Sequence, residues 1–328
     1  MKSKPDFRVS NRVDVMSGNN AFEEHIWRRA KYGTTEPRDD RQRSREDEKL
    51  AFRIEATSEG RPMVDGSDGV FRKSIFPDTI IILGPTGSGK TGVSIKLAKA
   101  LNGEIISADS RAIYKGMDIG TAKPSLKEQQ DVPHYGLDLV NPGDRFTVAD
   151  WKSYTEQKIT EIHARGKLPI IVGGTGLYID ALIYDYQFKG PTGERIGDFE
   201  QKTCTDRKEI KGNYLLVGIK NSDAELRDRL KKRIDQMFCE NLYKETRSLV
   251  QQYGWDNQAM KSNIYQYVWQ YLEGNLTLKE AKERCFFDDW HLAKRQMTWF
   301  KRNTRIVWLE LEKVYSYVIK YIQDEQRK

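Results

Sequence analysis

Apolar positions along the chain fall into two regimes that meet near residue 78. From Thr79 the chain alternates short, wholly apolar runs with stretches of helical period. Thr79-Ile80-Ile81-Ile82-Leu83 is β-branched and apolar on every position, the pattern of a strand buried on both faces of a parallel sheet. Glu104 to Ser107, Leu168 to Val172, Tyr214 to Ile219 and Arg305 to Leu309 predict four more strands. Between them, Lys90 to Leu101 and Trp151 to Arg165 predict helices, the second stopped at Gly166. From Asp223 to Tyr271 the period is helical, with Leu226, Leu230, Ile234 and Met237 three or four apart. Leu278 to Asn303 predicts one more long helix or a helix pair. Strands alternating with helices predict an α/β fold: a parallel sheet flanked by helices, with a helical accessory region.

Before residue 78 no such period exists. Residues 37–55 are mostly charged, Ser, Gly and Asp follow, and few large apolar residues recur. The expected organisation is an N-terminal arm over 1–77, disordered or loosely helical, and a first part of the core over 78–186. A short polar insertion follows over 187–213, then the rest of the core with a helical C-terminal region over 214–328.

Composition narrows the class only a little. The 328 residues carry 55 Lys and Arg against 48 Asp and Glu, a formal net charge of +7. A modest positive excess suits a polyanionic partner and equally suits an ordinary basic protein. Cys204, Cys239 and Cys285 are far apart and form no metal-ligand spacing, so neither a zinc site nor a disulfide framework is expected. No apolar run approaches the length of a membrane span, and the N-terminus lacks a signal-peptide core. Both point to the cytoplasm and away from a membrane.

The specific chemistry begins directly after the first strand. Gly84-Pro85-Thr86-Gly87-Ser88-Gly89-Lys90-Thr91 matches GxxxxGK[ST] between a strand and a helix. Glycines let backbone N–H groups converge on an anion, and the helix N-terminus adds partial positive charge. Lys90 supplies a full charge, and the Thr91 hydroxyl can reach Mg²⁺. The loop is expected to bind phosphate. Many phosphate-loop ATPases carry an acid at the end of a later strand, whereas Leu168 to Val172 runs into Gly173-Gly174-Thr175. That weakens a motor or ATPase reading. Asp109 follows the second strand and so falls at the same sheet edge as the loop. That is the edge where doubly wound folds bind ligands; the alternative is a surface Asp capping a helix.

Three further stretches carry a resemblance: Ile106 to Pro124 (ISADSRAIYKGMDIGTAKP), Val172 to Tyr178 (VGGTGLY) and Ala293 to Arg302 (AKRQMTWFKR). With the phosphate loop, His134 to Asp138 and Phe146 to Trp151, they resemble the tRNA dimethylallyltransferase (tRNA isopentenyltransferase) family. The likeness is closest over about 79–186, looser over 214–309, and does not reach the arm. It implies a P-loop NTPase-like fold and transfer of a dimethylallyl group to the exocyclic amine of the adenosine beside the tRNA anticodon. It further implies dimethylallyl diphosphate as donor, Mg²⁺ as cofactor and a monomer. Carried onto this sequence, Lys90, Asp109 and Thr175 are catalytic. Gly84 to Thr91 bind diphosphate, with Thr91 on the metal. Asp109, Ser110, Arg111, Ala112 and Thr175 lie against the flipped adenosine. Lys294 and Arg295 contact tRNA; a solvated face over a Trp core is the plainer alternative.

The chain departs from the family between Tyr186 and Tyr214, where a longer helical insertion is usual, and at Asn263-Ile264-Tyr265 in place of Ile-Gly-Tyr. Rival readings are a prenyltransferase of free adenine nucleotides, a phosphate-loop small-molecule kinase, and an inactive RNA-binding remnant.

Overall fold

A computed structural model describes residues 77–189, 194–195, 209–261 and 263–327. The N-terminal arm up to residue 76 and most of the 187–213 insertion lie outside these residues.

Six strands form one sheet in the order β3-β2-β4-β1-β7-β8. They are β1 (Thr79–Leu83), β2 (Gly103–Ala108), β3 (His134–Tyr135), β4 (Leu168–Gly173), β7 (Tyr214–Lys220) and β8 (Val307–Glu310). Every pairing is parallel. β1 sits in the interior of this sheet between β4 and β7, and all five of its residues are buried. This accounts for its unbroken apolar run, because both faces are covered. The five expected strands are all present. β8 begins two residues later than expected, because Asn303 to Ile306 forms a turn in which Asn303 Oδ1 accepts the Arg305 N–H at 2.9 Å. β3, and a two-stranded antiparallel pair β5 (Phe188–Lys189) and β6 (Glu194–Arg195), were not anticipated, since two residues carry no readable period.

Helices cover the sheet: α1 (Lys90–Ala100), α3 (Val148–Ala164), α4 (Gly176–Ile183) and α9 (Leu311–Gln326), while the short α2 (Leu126–Gln129) buries no residue. α3 starts three residues earlier than expected. Thr147 and Asp150 form a reciprocal capping box there, an N-terminus signal the apolar period alone does not carry. Trp151 on α3 is fully buried, donates its indole N–H to Ser107 O at 3.0 Å and stacks on Tyr178 at 4.6 Å between ring centres. It thereby fixes the end of β2, the point from which Asp109 projects.

The helical span from Asp223 divides into three helices: α5 (Asp223–Cys239), α6 (Leu242–Tyr253) and α7 (Asn263–Leu272). Asn241 in the left-handed conformation breaks the first pair, and Gly254 ends the second helix. With α8 (Leu278–Phe300) they enclose a core of their own around Leu230, Ile234, Met260, Val268 and Trp290. Met117, from the segment after Asp109, is buried in that same core. The accessory helices therefore pack directly on the chain that leaves β2.

Candidate active site at the carboxyl edge of the sheet

β1, β4 and β2 are neighbours, and Leu83, Gly173 and Ala108 are paired across them. The residues that follow these three, Gly84, Gly174 and Asp109, emerge side by side at one edge. Strands lie about 4.8 Å apart, so Asp109 stands roughly 10 Å from the phosphate loop with β4 between them. That gap has the width of a small bound group, and the carboxyl edge is where doubly wound sheets bind ligands.

The loop has the shape its glycines predict. Gly87 and Gly89 have φ of 76° and 93°, and a Cβ on Gly89 would collide with Leu311. The N-terminus of α1 carries no side-chain cap and no acidic residue in its first turn, which leaves its dipole open to an anion. Lys90 Nζ folds back on the loop, donating to Gly84 O at 3.0 Å and Pro85 O at 2.8 Å. Burial pushes its pKa down to about 8; the Asp109 carboxylate opposes this, and the Arg233 charge adds to it. Ser88 Oγ is buried with no partner. The Thr91 side chain is exposed at the start of α1.

Across the gap, Asp109 Oδ1 accepts the Arg111 N–H at 2.8 Å, closing a tight turn rather than capping a helix. Thr175 Oγ1 accepts the Ser110 N–H at 3.0 Å and donates to Ser110 Oγ at 3.3 Å. The structure thus brings Asp109, Ser110 and Thr175 together opposite the loop. Ala112 is buried, and its carbonyl accepts the Asp138 N–H.

Lys294 and Arg295 are exposed on α8. Lys294 is committed locally, paired with both Asp223 oxygens at 2.9 and 2.7 Å and lying 4.6 Å above the Trp290 ring. Trp299 is half-buried against the sheet core, with its indole N–H on Asp180 Oδ2 at 2.9 Å.

Sequence reasoning missed three residues. Arg233 of α5 donates from Nη1 to Thr86 Oγ1, while its Nε is buried without a partner. Asp289 of α8 is a second carboxylate in electrostatic contact with Arg233 and Asp109; burial raises its pKa, and the neighbouring Asp288 and Asp109 charges add to the rise while Arg233 opposes it. Gln296, also on α8, contacts the loop itself. Arg233 lies in a run of five basic residues between Arg227 and Arg233, and nothing in that run marks which one turns inward.

Lysine and arginine at a phosphate loop, with a carboxylate across the strand edge, define a phosphate-loop α/β enzyme built for a charged leaving group. Comparison with known proteins gives the family. The IPP transferase family model matches residues 112–196 and 190–303, and the isopentenyl transferase model matches 77–139. A tRNA dimethylallyltransferase of Staphylococcus haemolyticus is 36% identical over 292 residues, taking in 72% of this chain and 87% of its own. The Bacillus subtilis protein of that name is 34% identical over 283 residues, covering 71% and 90%. Among solved structures, tRNA isopentenylpyrophosphate transferases of Bacillus halodurans and Staphylococcus epidermidis align with TM-scores of 0.65 and 0.66. They are 30% and 32% identical, and each alignment covers 76% of this chain and 98% of the other. The chain belongs to the tRNA isopentenyltransferase family and has its P-loop NTPase-like fold.

Proposed function

We propose that this chain transfers a dimethylallyl group from dimethylallyl diphosphate to the exocyclic amine of the adenosine adjacent to the anticodon in tRNA. The carrying observation is the placement of Asp109 and the phosphate loop at the ends of β2 and β1, with one strand between them.

In this reading the loop amides, Lys90 and Arg233 hold the diphosphate, and the unpartnered Arg233 Nε–H and Ser88 hydroxyl meet its oxygens. An adenine amine is a poor nucleophile, because its lone pair is delocalised into the ring. Asp109 orients it and accepts its proton as the C–N bond forms and the electron pair of the C–O bond leaves with diphosphate. Thr175 holds Ser110 and thereby the turn carrying Asp109. Ser110, Arg111 and Ala112 line the approach of the adenosine, which must leave its stack to enter. Lys294 and Arg295 extend the contact along the tRNA backbone.

The family uses a diphosphate donor, for which a divalent ion is the natural companion. The exposed Thr91 side chain beside the loop offers a hydroxyl oxygen, the hard donor that Mg²⁺ takes. Mg²⁺ binds through few protein ligands plus substrate phosphates, and Thr91 would hold it. Such an ion supplies charge neutralisation at the leaving diphosphate. We infer also a monomer acting in the cytoplasm, where tRNA is modified; no helix among the described residues is long and apolar enough to cross a membrane. A kinase reading lacks support, because β4 ends in Gly173 and no carboxylate follows it.

Incubation with labelled dimethylallyl diphosphate, Mg²⁺ and bulk tRNA, beside AMP, tests the proposal. Label is expected in tRNA alone. Label in AMP alone would transfer the assignment to free nucleotides, and label in neither would remove the activity.

A further inference from the structure

Gln296 occupies the stretch of α8 that the sequence suggested for RNA contact, yet its side chain turns to the sheet edge. Its Oε1 accepts the Thr86 N–H at 2.8 Å, and its Nε2 donates to Gly174 O at 3.0 Å. The two partners fix the orientation of the amide, since one offers only a donor and the other only an acceptor. Thr86 belongs to the phosphate loop. Gly174 precedes Thr175, whose hydroxyl takes the Ser110 N–H, one residue from Asp109. Thr175 N–H also returns to Ala108 O at 3.1 Å. One side chain thus ties the loop that faces the donor to the turn that faces the acceptor. The fit is close, because a Cβ on Gly174 would run into the Gln296 amide.

We propose that Gln296 is a positioning residue that sets the spacing between the diphosphate cradle and the Asp109 carboxylate. The inference rests on the reading of those two groups given above. Its chemical consequence lies in partition. Prenyl transfer forms a C–N bond as the C–O bond to diphosphate breaks, and the amine proton goes to Asp109. When the amine is misaligned, water attacks the same carbon. A new C–O bond forms, diphosphate leaves with the electron pair, a proton passes to solvent, and the product is dimethylallyl alcohol. A residue that governs spacing therefore alters the ratio of alcohol to prenylated tRNA, which a purely structural residue does not.

The test uses the full chain with Gln296→Met, which keeps side-chain length and removes both hydrogen bonds, and Gln296→Glu, which keeps the acceptor and removes the donor. We expect kcat on tRNA to fall about 100-fold in Gln296→Met, the scale of a misplacement of about 1 Å, and less in Gln296→Glu. The alcohol fraction should rise in both, while pyrophosphate affinity of Gln296→Met stays within about threefold of the parent; Gln296→Glu adds a negative charge beside the cradle and is read by its product ratio alone. The inference is overturned if the product ratio is unchanged, or if pyrophosphate affinity of Gln296→Met falls in step with kcat. If Gln296→Met does not fold, the product ratio of Gln296→Glu decides. Asp109→Asn is run alongside. If it turns over fully, the site reading itself fails; if it is inactive while Gln296→Met behaves as the parent, only the Gln296 role is lost.

Discussion

Lys90 shows how burial tunes a residue for an anion. Desolvation lowers its pKa to about 8, so in the empty site it is charged below that value and loses its proton as pH rises through it. An arriving diphosphate favours the charged form. Binding should therefore weaken as pH rises above about 8, and the Lys90→Met variant should bind weakly throughout with that dependence flattened. Calorimetric titration with pyrophosphate between about pH 6.5 and 9 measures this, and the difference from Lys90→Met separates lysine from the ligand's own ionisation. A parent affinity that strengthens above pH 8 would contradict the burial argument. Asp109 and Gly89 were legible at this scale because a motif and a strand end place them. Arg233, Asp289 and Gln296 were not, because each reaches the site from a helix far along the chain, and Arg233 and Asp289 stand beside residues of the same charge.

At the level of elements, the backbone of residues 118–120 converges on one carboxylate. Glu245 on α6 accepts the N–H groups of Asp118, Ile119 and Gly120 at 3.1, 2.8 and 3.0 Å, and the Tyr265 hydroxyl of α7 at 2.7 Å. Burial pushes the Tyr265 pKa well up, and the Glu245 charge adds to it. Glu245→Ala leaves these donors without their acceptor and should cost about 1–3 kcal/mol. Hydrogen exchange at residues 118–120 should speed up before the rest of the chain, as the global urea transition falls. Equal protection there in the variant would show that the loop is held by other contacts. Strand positions were readable because β1, β2, β4 and β7 each carry an apolar run of aliphatic residues at their centre. The period of Leu226, Leu230, Ile234 and Met237 marks α5 but does not say where it ends, and the break at Asn241 rests on a left-handed backbone that the period does not record. Four capping boxes, at Ser125, Thr147, Ser222 and Thr277, mark helix starts more sharply than that period does.

For the whole molecule, the net charge of +7 and the basic residues of α8 bear on how tRNA is held. Affinity for tRNA should fall linearly in log–log form with salt, because phosphate contacts release counterions. Arg295 is exposed, whereas Lys294 already pairs with Asp223. Arg295→Ala should therefore lower the slope by about one, and Lys294→Ala by less, in filter binding between about 50 and 200 mM salt. Equal slopes for both variants and the parent would remove this face from the tRNA contact.

The sequence by itself determined the five longer strands, the phosphate loop, the acid at the second strand end and the family, because local pattern and short motifs encode each of them within a few residues. Only the tertiary structure decided which strands are neighbours, and hence that one strand separates Asp109 from the loop. It alone turned Arg233, Asp289 and Gln296 inward and tied Lys294 to Asp223. Those relations join residues far apart in the chain through packing, and no periodicity records a contact that forms only when two distant elements close on each other.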